Sequence, residues 1–101
     1  MSDAEPTRAQ IDATPGEMVL EFGASWCGYC QAARPDVDVA LTERPATRHQ
    51  WIEDGPGRPL GRSYRVKLWP TLVILRDGQE VARVVRPNGV DEVRAALSQL
   101  G

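Results

Sequence analysis

Phe22-Gly23-Ala24-Ser25-Trp26-Cys27-Gly28-Tyr29-Cys30 carries both cysteines of the 101-residue chain, three positions apart, between the apolar run 18–22 and a stretch of helical character. A Cys-x-x-Cys pair at such a strand-to-helix junction can close and reopen a disulfide with little backbone movement. The junction also sets the first thiol at a helix N-terminus, where unpaired N–H groups and the helix dipole favour thiolate over thiol. A free cysteine titrates near ~8.5, and sites of this kind bring it to roughly 3.5–7.5. Cys27 is therefore the expected nucleophile, and Cys30, one turn into the helix, the buried resolving thiol.

Working outward, residues 1–16 are polar, carry Pro6 and Pro15, and show only a weak helical tendency around 7–11, so a loosely ordered N-terminal segment is expected before a domain over 17–101. Residues 27–44 favour helix, with Ala32, Ala33, Val37, Val39, Ala40 and Leu41 supplying apolar positions and Pro45 closing the run. Pro35 inside it predicts a kink rather than two helices. A strand over 47–52, the breakers Asp54-Gly55-Pro56-Gly57 and a short helix near 59–64 follow. Strands 71–75 and 80–85 flank Arg76-Asp77-Gly78-Gln79, a hairpin signal. Val90, Val93, Leu97 and Leu100 mark a last helix with one apolar stripe, Asn88 being its expected cap and Asp91 a favourable charge in its first turn. The pattern predicts an α/β fold: a mixed central sheet of four strands, or five, flanked by helices.

Composition narrows the function. A chain of this length with 42% hydrophobic residues supports one small core. Twelve Lys and Arg against fourteen Asp and Glu give a net charge of -2 spread along the sequence, which offers no patch for nucleic acid. Two cysteines are too few for a stapled secreted fold, and the short loop between them would constrain little unfolded-state entropy. No apolar run approaches the ~20 residues of a membrane span. No basic region followed by an apolar segment opens the chain, which makes the cytoplasm the expected location. A structural zinc site needs about four ligands, and beside the two cysteines the chain offers the single His49, so no metal is expected.

Trp26-Cys27-Gly28-Tyr29-Cys30, Pro35 five residues after the second cysteine, and Trp69-Pro70-Thr71 at a strand start together resemble the thioredoxin family over roughly 18–100. The resemblance implies that Pro70 is a cis-proline beside the cysteines, an isomer found in only about 5–6% of X–Pro bonds. It also implies that the main chain of Trp69 receives an extended substrate peptide. Glu21 falls where many relatives carry a buried aspartate, which implies a proton relay to Cys30. A strand residue alternating out to solvent is the competing reading. Departures are equally specific. Gly28-Tyr29 replaces the usual Gly-Pro, Gln50 takes the place of a lysine near the buried carboxylate, and Arg86-Pro87 stands where a small glycine usually flanks the groove. Arg86 is thus expected to narrow the groove or to select acidic substrates.

The reading that follows is a thiol–disulfide oxidoreductase of the protein-disulfide reductase type. Cys27 and Cys30 are its reactive pair, Glu21 the relay, and Trp26, Gly28, Tyr29, Trp69, Pro70 and Arg86 its substrate surface. It needs no bound cofactor, because the electrons reside in the cysteine pair. Its expected partners are disulfide-containing proteins and a reductase or thiol donor, with no nucleic acid or membrane, and it is expected to be a monomer. A disulfide oxidant or isomerase of exported proteins, and a non-catalytic binding module of the same fold, stay open as alternatives. His49 is expected to be a surface strand residue with no catalytic role, and Trp51 and Phe22 to be core.

Overall fold

The nearly continuous apolar run 18–22, broken by Glu21, decides the architecture, because this strand is paired on both edges and covered on both faces. In the computed structural model, which describes residues 5–101, β1 (Glu17–Gly23) is followed by β2 (Arg48–Glu53), β3 (Thr71–Arg76) and β4 (Gln79–Val85) in the sheet order β2-β1-β3-β4. β1 pairs parallel with β2 and antiparallel with β3, and β3 pairs antiparallel with β4. Among the described residues the sheet has four strands, and no fifth joins it.

Successive side chains of β1 point to opposite faces. Met18, Leu20 and Phe22 pack with Ile11, Leu60 and Tyr64, under α1 (Arg8–Asp12) and α3 (Pro59–Ser63). Val19 packs on the other face with Ala33, Val37, Val93 and Leu97, under α2 (Gly28–Thr42) and α4 (Val90–Leu97). A strand buried on both faces reads as a nearly continuous apolar run. Glu21, fully buried in the middle of β1, is the exception that chemistry must explain.

Three local expectations are corrected. The N-terminal segment, from Glu5 on, is not loose: Thr7 and Gln10 form a reciprocal capping box, α1 follows, and Ile11 is buried in the core. The portion of that expectation falling on residues 1–4 lies outside the described residues. Two apolar or capping residues hold so short a helix only because it packs, and pack it does. A Cβ at Gly78 would collide with the Asp12 backbone. Arg8 donates to the Ser63 carbonyl at 2.8 Å and lies over the Tyr64 ring. The cap of α4 is Gly89, at φ 152, rather than Asn88, whose backbone N–H instead donates to the Glu92 carboxylate at 3.2 Å. The lysine substitute near Glu21 is not Gln50, as the site shows below.

The remaining elements follow their sequence signals. α2 is a single helix with Pro35 inside it. The β3–β4 hairpin turns at Asp77 and Gly78, with φ of 51° and 81°, the two positive values that a type I′ turn requires. That turn is tied to the start of β1: Gly16 N–H donates to Asp77 Oδ1 at 2.7 Å, and Asp77 N–H returns a bond to the Gly16 carbonyl at 2.9 Å.

Candidate active site

Parallel pairing of β1 with β2 carries the chain from the sheet's end straight into the turn 24–27, and α2 begins at Gly28 with Cys27 as its extended N-cap. No side chain caps this helix, so its first N–H groups face the Cys27 sulfur. Cys27 and Cys30 are free thiols, 7% and 3% exposed, packed with Ala24 and against the partly buried Trp51 and Trp69. Their surroundings split them. Burial alone would raise the Cys27 thiol, but hydrogen bonds from the Cys30 N–H, the Cys30 thiol and the Tyr29 N–H, with the Arg86 charge, outweigh it and hold Cys27 below its ordinary value. Burial pushes the Cys30 thiol up to about 11; Cys27 and Glu21 add to the rise, and a bond from the Ala24 N–H opposes it.

Close packing fixes the deeper sulfur. A Cβ at Gly23 would lie 2.6 Å from Cys30 Sγ and 2.7 Å from the Trp51 ring, so only glycine fits beneath the pair. Two residues earlier on the same face, Glu21 has no exposed surface. Its Oε1 is 2.7 Å from His49 Nε2, and its Oε2 lies 3.7 Å from Arg34 without a hydrogen bond. His49 is the residue that the sequence reading missed. In the β1–β2 register Val19 faces His49 and Glu21 faces Trp51, so His49 and Trp51 share the face of Glu21, and Gln50 points to the other. His49 does sit at the surface as expected, its side chain 29% exposed, but the ring reaches inward.

The rim is aromatic. Trp69–Pro70 is cis, at the start of β3. Trp26 is 74% exposed and packs edge-on against Trp69, with ring centres 5.6 Å apart, so it walls the rim more than it covers the thiols. Trp69 Nε1 donates to Asp54 Oδ2 at 2.9 Å, and Trp51 Nε1 donates to Glu53 Oε1 at 3.1 Å. The other Glu53 oxygen accepts from Ser25 N–H at 3.0 Å. Trp51 is thus half-buried at the site, whereas Phe22 is core as expected. Gly28 and Tyr29 are exposed between the cysteines. Arg86 stacks over the Tyr29 ring, 3.8 Å from its centre, and its Nε donates to the Trp69 carbonyl at 2.8 Å. Among the described residues no cluster of three or more metal-ligating side chains forms, and no helix is long and apolar enough to cross a membrane.

A dithiol of unequal acidity, held at the end of a sheet under an aromatic rim, defines a site for thiol–disulfide exchange. The Thioredoxin family profile matches residues 3–99, and the chain belongs to that family. It is 34% identical over 68 residues to the thioredoxin H-type of Fagopyrum esculentum, a stretch covering 67% of this chain and 59% of that protein. It is 31% identical over 84 residues to a thioredoxin of Mycobacterium tuberculosis, covering 82% of this chain and 72% of that one. Among solved structures, thioredoxin 2 from Pseudomonas aeruginosa in its reduced form matches with a TM-score of 0.87 and 49% identity, over 98% of this chain and 92% of that chain. The chain thus spans less than two thirds of the buckwheat relative.

Proposed function

We propose that this chain reduces disulfides in other proteins by dithiol–disulfide exchange. The observation that carries the reading is the asymmetry of the pair: the outer thiol is lowered at a helix N-terminus, and the inner one is buried and raised to about 11. The Cys27 thiolate attacks one sulfur of the substrate disulfide, and the substrate's other sulfur leaves as a thiolate. Cys30 then gives up its proton and attacks Cys27, and the second substrate sulfur departs. Two electrons pass to the substrate, and Cys27 and Cys30 end joined. A reductase or a thiol donor of low potential must return the two electrons.

Glu21 is the nearest buried base for the Cys30 proton, close enough to raise that thiol, and its bond to His49 continues the route to the surface. Trp26, Tyr29, Trp69 and Pro70 form the surface on which an extended polypeptide lies, Gly28 leaving room between the cysteines. Pro70 has no N–H to compete for the incoming strand. A reducing direction suits the cytoplasm, and a single copy contains every group the cycle uses, so a monomer suffices.

The test is a pair of variants. Cys27→Ser should abolish turnover of a protein disulfide, whereas Cys30→Ser should attack and then accumulate a mixed disulfide through Cys27. Mass spectrometry that found no trapped adduct on Cys30→Ser, or found one on Cys27→Ser, would reverse the assignment. A rate for the unaltered protein no greater than that of a small dithiol would remove the reductase reading and leave a binding module.

A further inference from the structure

Several arginines elsewhere on the molecule answer a carboxylate: Arg8 pairs with Asp12, Arg83 with Glu80, and Arg94 with Glu43 and Asp91. Arg86 is fixed differently. It adopts φ 49 just after β4, its own N–H donates to the Pro70 carbonyl at 2.9 Å, and its Nε is taken by the Trp69 carbonyl. The flat face of the guanidinium is taken by the Tyr29 ring. These contacts span the cleft from the cis-proline loop to the turn between the cysteines, with Cys27 beneath. Neither contact carries a formal charge, and among the described residues no carboxylate pairs with Arg86. Of the five guanidinium N–H groups, one is committed and the four on the two terminal nitrogens keep their fork geometry.

The nearby acids do not compete for that fork. Glu53 is held by Ser25 and Trp51, and Asp54 by the Trp69 indole. Asp36, two helical turns past Tyr29, lines the same groove of about 490 Å³ as Arg86 and Asn88, so an anion is favoured at the Arg86 end and repelled further along. Arg86 is also near enough to Cys27 to act on its charge.

We propose that Arg86 is a specificity residue that reads a carboxylate: its guanidinium, pre-placed by the Trp69 carbonyl and the Tyr29 ring, binds an acidic group flanking the disulfide of the incoming substrate. The proposal deepens the disulfide-reducing reading and rests on it. Because the fork is already ordered, binding loses little side-chain freedom. The same arrangement occupies the Trp69 carbonyl, so a substrate that docks only as a strand must displace Arg86, whereas one bearing a carboxylate can use it in place.

The experiment compares three small disulfides of similar length on the pre-reduced protein in single turnovers: the dianionic 3,3′-dithiodipropionate, the neutral bis(2-hydroxyethyl) disulfide and the dicationic cystamine. For Arg86→Gln the second-order rate constant for the dianion should fall by about tenfold relative to the neutral disulfide, the scale of one half-exposed charge-assisted contact. Arg86→Lys, which keeps the charge without the fork, should retain part of the preference. On the unaltered protein, raising the salt from about 0.01 M to about 0.15 M should slow the dianion and spare the neutral compound. A salt-induced acceleration of the dianion, as repulsion by a chain of net charge -2 would give, overturns the proposal, as does an unchanged ratio among the three disulfides in Arg86→Gln. Failure of the unaltered protein to reduce even the neutral disulfide would instead overturn the parent reading, and this one with it.

Discussion

Replacing Gly23 by alanine adds one methyl group at the tightest point beneath the reactive pair. That methyl carbon would stand 2.6 Å from Cys30 Sγ and 2.7 Å from the Trp51 ring, where comfortable contacts lie at about 3.5–4.0 Å, so sulfur and indole must retreat by about 1 Å. Neither is free to do so. Cys30 is anchored in the first turn of α2, and the indole N–H of Trp51 is tied to Glu53. Overpacking of this kind costs about 1–3 kcal/mol. For a domain near 100 residues, a loss of about 2 kcal/mol lowers Tm by about 8–16 °C. An ångström of misplacement at a reacting atom can also cost about a hundredfold in rate. Gly23→Ala should therefore slow the Cys30 step by about 10- to 100-fold while Cys27 still attacks, so that the mixed disulfide becomes visible by rapid acid quench. Gly28→Ala is the control, because a Cβ there meets nothing within 4 Å and stability should hold or rise slightly. A Gly23→Ala protein that melts with the parent and resolves its mixed disulfide at the parent's rate would refute the packing argument.

Alkylation of Cys27 by iodoacetamide should reach half its limiting rate at a pH below the ~8.5 of a free thiol, because a lowered thiol keeps its thiolate as pH falls; a midpoint at or above that value would contradict the site's electrostatics. Cys30 works in the opposite sense. The unfolded chain loses this proton near ~8.5 and the folded reduced chain only near about 11, so the urea midpoint of the reduced protein should decline between those values, and a flat profile would count against the burial of Cys30. His49→Leu strips the hydrogen bond that, among the described residues, alone holds a fully buried carboxylate and should cost about 1–3 kcal/mol, with Glu21→Leu in the same chain restoring most of it; a neutral single variant in urea titrations would undo the pairing. Ile11→Ala should cost about 2–5 kcal/mol, against no measurable change if the N-terminal segment were loose.

The residues that announced themselves in the sequence did so because their signals are local. A glycine next to an aspartate between two apolar runs makes a I′ turn wherever it falls, and Asp77-Gly78 did. A pair of cysteines between an apolar run and a helix marks a junction without any knowledge of the rest. What stayed hidden depends on contacts between distant segments. His49 and Gln50 are adjacent, and which of them meets Glu21 turns on a one-residue choice of register that the sequence of β2, polar at both positions, does not reveal. α1 is five residues long, too short for periodicity to show, although the spacing of Thr7 and Gln10 was a readable sign of its start. Arg86 could be placed beside the groove by the family resemblance, since it stands where a glycine usually flanks it. Its grip on the Trp69 carbonyl could not, because that bond joins two loops seventeen residues apart.

The reactive pair is assembled from pieces that leave the ribosome at very different moments. Gly23, Cys27 and Cys30 emerge early, whereas the loop of Trp69 and Pro70 follows some forty residues later, and Arg86 and α4 come last. Until β3 takes its place beside β1, the loop of Trp69 and Pro70 cannot wall the outer sulfur. The last segments to emerge thus add the rim and the Arg86 clasp to a pair whose acidity is set chiefly by its own turn and helix start.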